Sequence, residues 1–112
     1  MLTNRQVFQS CLAQTSNTPL QLEIESAEGA YLYGTNGLKY LDLISGIGVS
    51  NIGHRHPKVI QAIQEQLKNY LHLMVYGEYI QAPQVQLAQA LTATLPEKLD
   101  NVYLVNSGSE AV

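Results

Sequence analysis

The spacing of apolar positions changes several times along this chain, and each change marks an element. Val7, Phe8, Cys11 and Leu12 recur at the three-to-four-residue spacing of one helix face. Thr3-Asn4-Arg5-Gln6 has the form of a capping box just ahead of them. A short first helix is therefore predicted, broken at Asn17-Thr18-Pro19. The period then shortens to two. Leu22 to Ser26 alternates apolar and polar, Ala30 to Tyr33 follows a Glu28-Gly29 turn, and Leu38 to Leu43 follows Asn36-Gly37, the strongest short hairpin signal. These three runs predict a small antiparallel meander.

Residues 45–57, SGIGVSNIGHRHP, follow no period. Gly46, Gly48 and Gly53 mark a loop with unusual backbone or close packing. Pro57 suits the first position of a helix, and Val59, Ile60, Ile63, Leu67, Tyr70 and Leu71 form a helical stripe behind it. Residues 73–80 are ambiguous. Pro83 opens a second long helix, with Gln84, Leu87, Ala88, Leu91 and Leu95 on one face and Pro96 as the stop. Asn101 to Val105 is β-rich and nearly all apolar, as a buried parallel strand would be. Asn106-Ser107-Gly108-Ser109 then turns, and Glu110-Ala111-Val112 reads as the start of a helix. A strand, a turn and a nascent helix make an unfinished βα unit. No internal repeat and no low-complexity segment stands out.

Composition sharpens this picture. With 112 residues there is room for one domain at most, and 46% hydrophobic residues argue against disorder. Only 13% are charged, against ~25% in an average globular protein. So little charge suits a piece that hides much of its surface against something else. The six basic residues are scattered, which gives no stripe for nucleic acid, and no apolar run is long enough to span a membrane. The first fifteen residues read as helix rather than signal peptide. One cysteine, Cys11, excludes an internal disulfide and a cysteine-built zinc site. Together these favour a cytoplasmic protein.

Few residues carry chemistry by themselves. The Asn106–Ala111 turn either caps a helix through serine or cradles a phosphate. The first free N–H groups of a helix, the close approach that Gly108 allows, and the hydroxyls of Ser107 and Ser109 all suit an anion. The Gly46–Gly53 spacing is neither a dinucleotide fingerprint nor a P-loop. His54 and His56 lack a nearby third ligand, Asp42 being the closest acid before them, so they read as turn or capping contacts and no metal is expected. His72 reads as surface, Cys11 as a small apolar residue, and Tyr76 and Tyr79 sit where they could reach a ligand.

The order of these segments resembles class III aminotransferases, pyridoxal 5'-phosphate (PLP) enzymes of fold type I. That family's pattern has a Gly, a Leu-x-Asp, a Ser-Gly pair, a Val and then Gly-His-x-His-Pro. Gly37, Leu41-Asp42 (adjacent here, after Tyr40), Ser45-Gly46, Val49 and Gly53-His54-Arg55-His56-Pro57 stand in that order. GAYLYGTNG, PQVQLAQAL and the final NSGSEA also fit, so the resemblance runs from about Leu22 to Val112. It implies an α/β fold, in which this chain is the N-terminal portion: helix, small antiparallel meander, Gly-rich loop, two long helices and the first strand of the large-domain sheet. Residues 1–56 would belong to the small domain and residues 57–112 would begin the large, PLP-binding domain.

The resemblance also implies roles. Gly108 and Ser109, with Ser107 beside them, would hold the cofactor phosphate. Ile47, Gly48 and Val49 would face the substrate. Several family members have an aromatic where Ile47 stands, and an aliphatic residue there leaves a wider, less polar pocket. The reaction implied is amino transfer from an amino donor to a 2-oxo acid or aldehyde, in a homodimer or larger oligomer. The family's Schiff-base lysine and ring-nitrogen aspartate belong to a later segment. Lys39, Lys58, Lys68 and Lys98 match no such motif, so no catalytic residue is assigned here and the chain alone is expected to be inactive. The alternative is a non-catalytic, oligomeric interaction fragment. In either case the two unpaired edges of Asn101–Val105 predict self-association or dependence on further polypeptide.

Overall fold

A computed structural model describes every residue except Tyr76. The chain forms two compact units, Met1–Asn69 and Tyr70–Val112.

The first unit opens with α1 (Asn4–Cys11). Its capping box is complete. Gln6 N–H donates to Thr3 Oγ1 at 3.3 Å, and Thr3 N–H donates to Gln6 Oε1 at 2.8 Å. The meander follows as β1 (Ile24–Glu28), β2 (Tyr31–Gly34) and β3 (Lys39–Leu41). They form one antiparallel sheet in sequence order, with Glu28 opposite Tyr31 and Tyr31 opposite Leu41. The Asn36-Gly37 turn closes the second hairpin, Leu38 N–H donating to Asn36 Oδ1 at 3.0 Å. Lys39 lies over the Tyr31 ring, 3.7 Å from its centre.

After β3 the chain crosses an irregular loop containing one helical turn, α2 (Ser45–Gly48), and enters α3 (Pro57–Leu67). Pro57 takes the first helical turn as expected, but α3 stops four residues short of Leu71. The reason is local: Lys68 and Asn69 donate to Glu65 and Gln66, three residues back, which tightens and ends the helix.

In the second unit α4 spans Ala82–Thr92. It ends before the expected Leu95, again through i→i+3 bonds, Thr94 to Leu91 and Leu95 to Thr92. A final turn, α5, spans Gly108–Ala111. Asn101–Val105, expected as a sheet strand, has no regular structure. A strand is defined by its ladder, and among the described residues no partner lies alongside it.

Neither unit has a hydrophobic core among the described residues. Among the described residues only Gly34 and Gln81 are buried, and no hydrophobic residue is. The stripe of α3 is uncovered, with Val59, Ile63 and Leu67 all exposed. The chain exposes 10018 Å². A compact protein of this mass exposes about 6,100 Å², and two separate compact bodies sharing that mass about 7,300 Å². Large hydrophobic side chains, Leu43, Leu71 and Ile80 among them, stand exposed in that surface.

Candidate functional site

The loop from Asp42 to His54 is tied at both ends to the β1–β2 turn. Asp42 N–H donates to Ala30 O at 2.9 Å. Gly29 and His54 exchange a pair of main-chain hydrogen bonds, 3.0 and 2.7 Å. Gly53 makes this approach possible. Its φ is +88°, and a Cβ there would stand 3.3 Å from the Gly29 backbone.

Asp42 organises the loop from inside. Its Oδ1 accepts from Ile44 N–H at 3.0 Å and Ser45 N–H at 2.9 Å, and its Oδ2 accepts from His54 Nε2 at 2.7 Å. The Asp42 side chain is 8% exposed and that of His54 20%. Donation from Ser45 first, and from His54 second, holds the Asp42 carboxyl below the usual carboxylate range. His54 therefore makes the turn contact expected of it. Asp42, read in the sequence as part of the family pattern and as an acid too isolated for a metal site, is the hub. An aspartate two and three residues before amides that need an acceptor is a readable signal of this role.

Between these anchors α2 is left-handed. Ser45, Gly46, Ile47 and Gly48 have φ of +54°, +59°, +60° and +83°. For Ile47, branched at Cβ, that is a genuine outlier, at a cost of order 1–3 kcal/mol. The side chain is 92% exposed, and Gly48 and Val49 are exposed beside it. The three residues expected to face substrate thus stand outward together on a strained, braced turn.

Ser107, Gly108 and Ser109 form the turn into α5 in the second unit. Ser107 is the N-cap, its Oγ accepting from Glu110 N–H at 3.3 Å. Glu110 reaches back, and its Oε2 accepts from Asn106 N–H at 3.0 Å and Ser107 Oγ at 3.1 Å. The capping reading of the serine is therefore realised by the Ser107 hydroxyl, while Glu110 holds that hydroxyl and the preceding amide. It does not use up the turn. The N–H groups of Gly108 and Ser109 are the first two of α5 and have no intrahelical acceptor. A Cβ on Gly108 would meet nothing within 4 Å. Glycine is thus not required there by packing among these residues.

The remaining candidates are soon placed. His56 precedes α3 and makes no side-chain cap. Cys11 is exposed rather than packed. Tyr79 borders a shallow hollow with Gln81, Gln84 and Val85, and Gln81 Nε2 donates to Met74 O at 3.1 Å. Tyr76 lies outside the described residues. Among the described residues no three His, Cys, Asp or Glu side chains converge on a point, and no helix is long and apolar enough to cross a membrane.

Comparison with known proteins defines the class. A family profile, aminotransferase class-III, matches residues 12–112. The acetylornithine aminotransferase of Methanocaldococcus jannaschii is 39% identical over 92 residues, covering 82% of this chain and 22% of that protein. The crystal structure of adenosylmethionine-8-amino-7-oxononanoate aminotransferase from the same organism superposes with a TM-score of 0.85 at 29% identity, covering 96% of this chain and 26% of that one. Taurine:2-oxoglutarate aminotransferase from Bifidobacterium kashiwanohense, solved in complex with PLP and glutamate, superposes with a TM-score of 0.71 at 26% identity, over 83% of this chain and 22% of that one. The chain belongs to the class III aminotransferase family, with the fold-type-I architecture. It is an N-terminal region of that fold and spans about a fifth to a quarter of the length of these relatives.

Proposed function

We propose that this chain is the opening part of a PLP-dependent transaminase that moves an amino group from an amino donor to a 2-oxo acid or aldehyde. The observation that carries the reading is the Ser107–Ser109 turn: two free main-chain donors beside an unfilled space at Gly108, in a turn braced by Glu110. Gly108 and Ser109 donate N–H groups to the cofactor phosphate, Ser109 adds its hydroxyl, and Ser107 holds the turn. Bound PLP supplies the electron sink that amino transfer needs. Ile47, Gly48 and Val49 form part of the wall against the donor's carbon chain and exclude water from it. The ammonium-binding and proton-moving groups lie outside these residues.

Residues 1–56 and 57–112 are assigned to the small and large domains. A homodimer, or a larger oligomer, accounts for part of the uncovered apolar surface. A cytoplasmic setting keeps the exposed Cys11 reduced.

The test expresses the reading frame as the genome encodes it and loads it with PLP. Donors are N-acetylornithine, ornithine, taurine and alanine, with 2-oxoglutarate as acceptor. Retained PLP and turnover with at least one donor are expected. Ser109→Ala is expected to raise the PLP Kd about tenfold, the loss of one hydrogen bond to a charged group. Gly108→Val, whose Cβ meets nothing within 4 Å among these residues, is expected to abolish retention in a protein whose thermal midpoint without PLP is unchanged, so that the loss reports ligand approach. Wild-type protein that retains no PLP, or variants that retain it unchanged, would overturn the reading. The 112 residues alone are expected to hold no PLP after borohydride treatment. A stable adduct on one lysine would contradict the absence of a Schiff-base lysine.

A further inference from the structure

The segment turned toward the substrate has a backbone its residues do not favour. Ser45, Gly46, Ile47 and Gly48 all have positive φ, and two of the four carry a Cβ. Such a run persists only where its surroundings over-determine it. Here the fasteners converge on one carboxylate. Asp42 Oδ1 accepts from the N–H groups of Ile44 and Ser45, which lead into the turn. Oδ2 accepts from His54 at the loop's far end, and the His54 main chain is paired with Gly29. Ser50 N–H closes the turn on Ser45 O at 2.9 Å. One enclosed side chain thus links both ends of the loop, and the residue it leaves most prominent is Ile47.

We infer that Asp42, backed by His54, is a positioning residue that sets this left-handed turn and so determines how Ile47 and Val49 meet the carbon chain of the amino donor. The inference rests on the functional reading above. Asp42 touches neither donor nor cofactor. It shapes the wall, so its removal should act on donor fit rather than on cofactor retention. Without an acceptor at Asp42, Ile44 and Ser45 lose the bonds that set the entry to the turn, and Ile47 relaxes toward negative φ, which swings its side chain away from its present direction.

The experiment compares wild type, Asp42→Ala, Asp42→Asn and His54→Ala in the PLP-loaded whole protein. It uses the donor that gives the highest kcat/KM in the panel above. Donor kinetics, PLP occupancy and backbone hydrogen exchange over residues 43–53 are measured together. Asp42→Ala is expected to raise donor KM about tenfold with kcat within about twofold and PLP occupancy unchanged, and to speed exchange at Ile44, Ser45 and Ser50. Asp42→Asn is expected to stay within about threefold of wild type, because an amide oxygen still accepts from Ile44 and Ser45. His54→Ala should fall between. A donor KM unchanged in a folded Asp42→Ala protein overturns the inference, as does a loss of activity that merely tracks lost PLP. If Asp42→Ala does not fold, His54→Ala decides: a raised KM at full occupancy supports the inference and an unchanged KM overturns it. A wild-type protein that transfers no amino group sinks the functional reading, and donor selection with it. Hydrogen exchange then still shows separately whether Asp42 fastens the loop.

Discussion

Residues 42–54 and residues 101–112 both connect regular elements and both carry proposed site residues, yet they are held in different ways. The first stretch is closed by its own bonds. Asp42 spends both carboxylate oxygens within it, and its two ends are tied to Gly29 and Ala30. The second stretch has a finished turn and an unfinished strand. Ser107 caps α5 and Glu110 braces the turn, whereas Asn101–Val105, apolar and β-rich, forms no ladder. The difference is one of range. Caps and side-chain-to-backbone turns are satisfied two or three residues away, and the longer ties of Asp42 and His54 find their partners in the neighbouring meander, but a strand needs a neighbouring strand, which residues 101–105 do not find here.

That contrast can be broken most severely at Gly53. Alanine there combines a positive φ with a Cβ pressed against the Gly29 backbone, neither of which can give. A loss of about 2–4 kcal/mol is expected from the two effects together. It should appear as well over tenfold faster amide exchange at Gly29 and His54, with the Ser107 turn unaffected.

Acid should separate the two regions more gently. The Asp42 carboxyl is held low in the folded chain by Ser45 and His54. Its contribution to the loop is therefore fully present above the unfolded carboxylate value and is lost as pH falls below about 4 and through the lowered folded value. Hydrogen exchange of residues 43–53 in wild type and Asp42→Asn should differ near neutral pH and converge in acid.

At the other connector, Ser107→Ala removes the N-cap of α5 and should cost about 1 kcal/mol locally. Weakened PLP retention, with exchange in the Asp42 loop unchanged, is the outcome that keeps the two regions independent. The smallest effect belongs to a contact on the surface of the first unit. Arg5 and Glu23 pair at 3.2 Å with both side chains exposed. Glu23→Gln should shift the thermal midpoint by no more than about 1 kcal/mol allows, and less in high salt.

Much of the fold was legible in the residues. Thr3 and Gln6 announced the α1 cap, Asn36-Gly37 the hairpin, Pro57 and Pro83 the helix starts, and all formed where expected. Helix ends were less legible, since α3 and α4 close through i→i+3 bonds that no breaker residue signals. The site was legible in part. Gly-His-x-His-Pro drew attention to the loop but not to Asp42 as its hub, because the pairing with His54 spans twelve residues and depends on how the meander folds back. The serine turn displayed its capping residue, but which donors stay without an intrahelical acceptor is a matter of helix geometry.

By itself, the sequence determined the local chemistry: caps, turns, helix starts, strand pairing across short loops, and the family to which the pattern belongs. Tertiary structure alone decided that Asp42 meets His54, that Ile47 is bent into a left-handed turn, that Gly53 lies on Gly29, and that no apolar side chain among the described residues is buried. The physical reason is the same throughout. Local elements are chosen by bonds between near neighbours, whereas burial and strain are properties of surfaces brought together from a distance, and among the described residues no such meeting buries an apolar side chain.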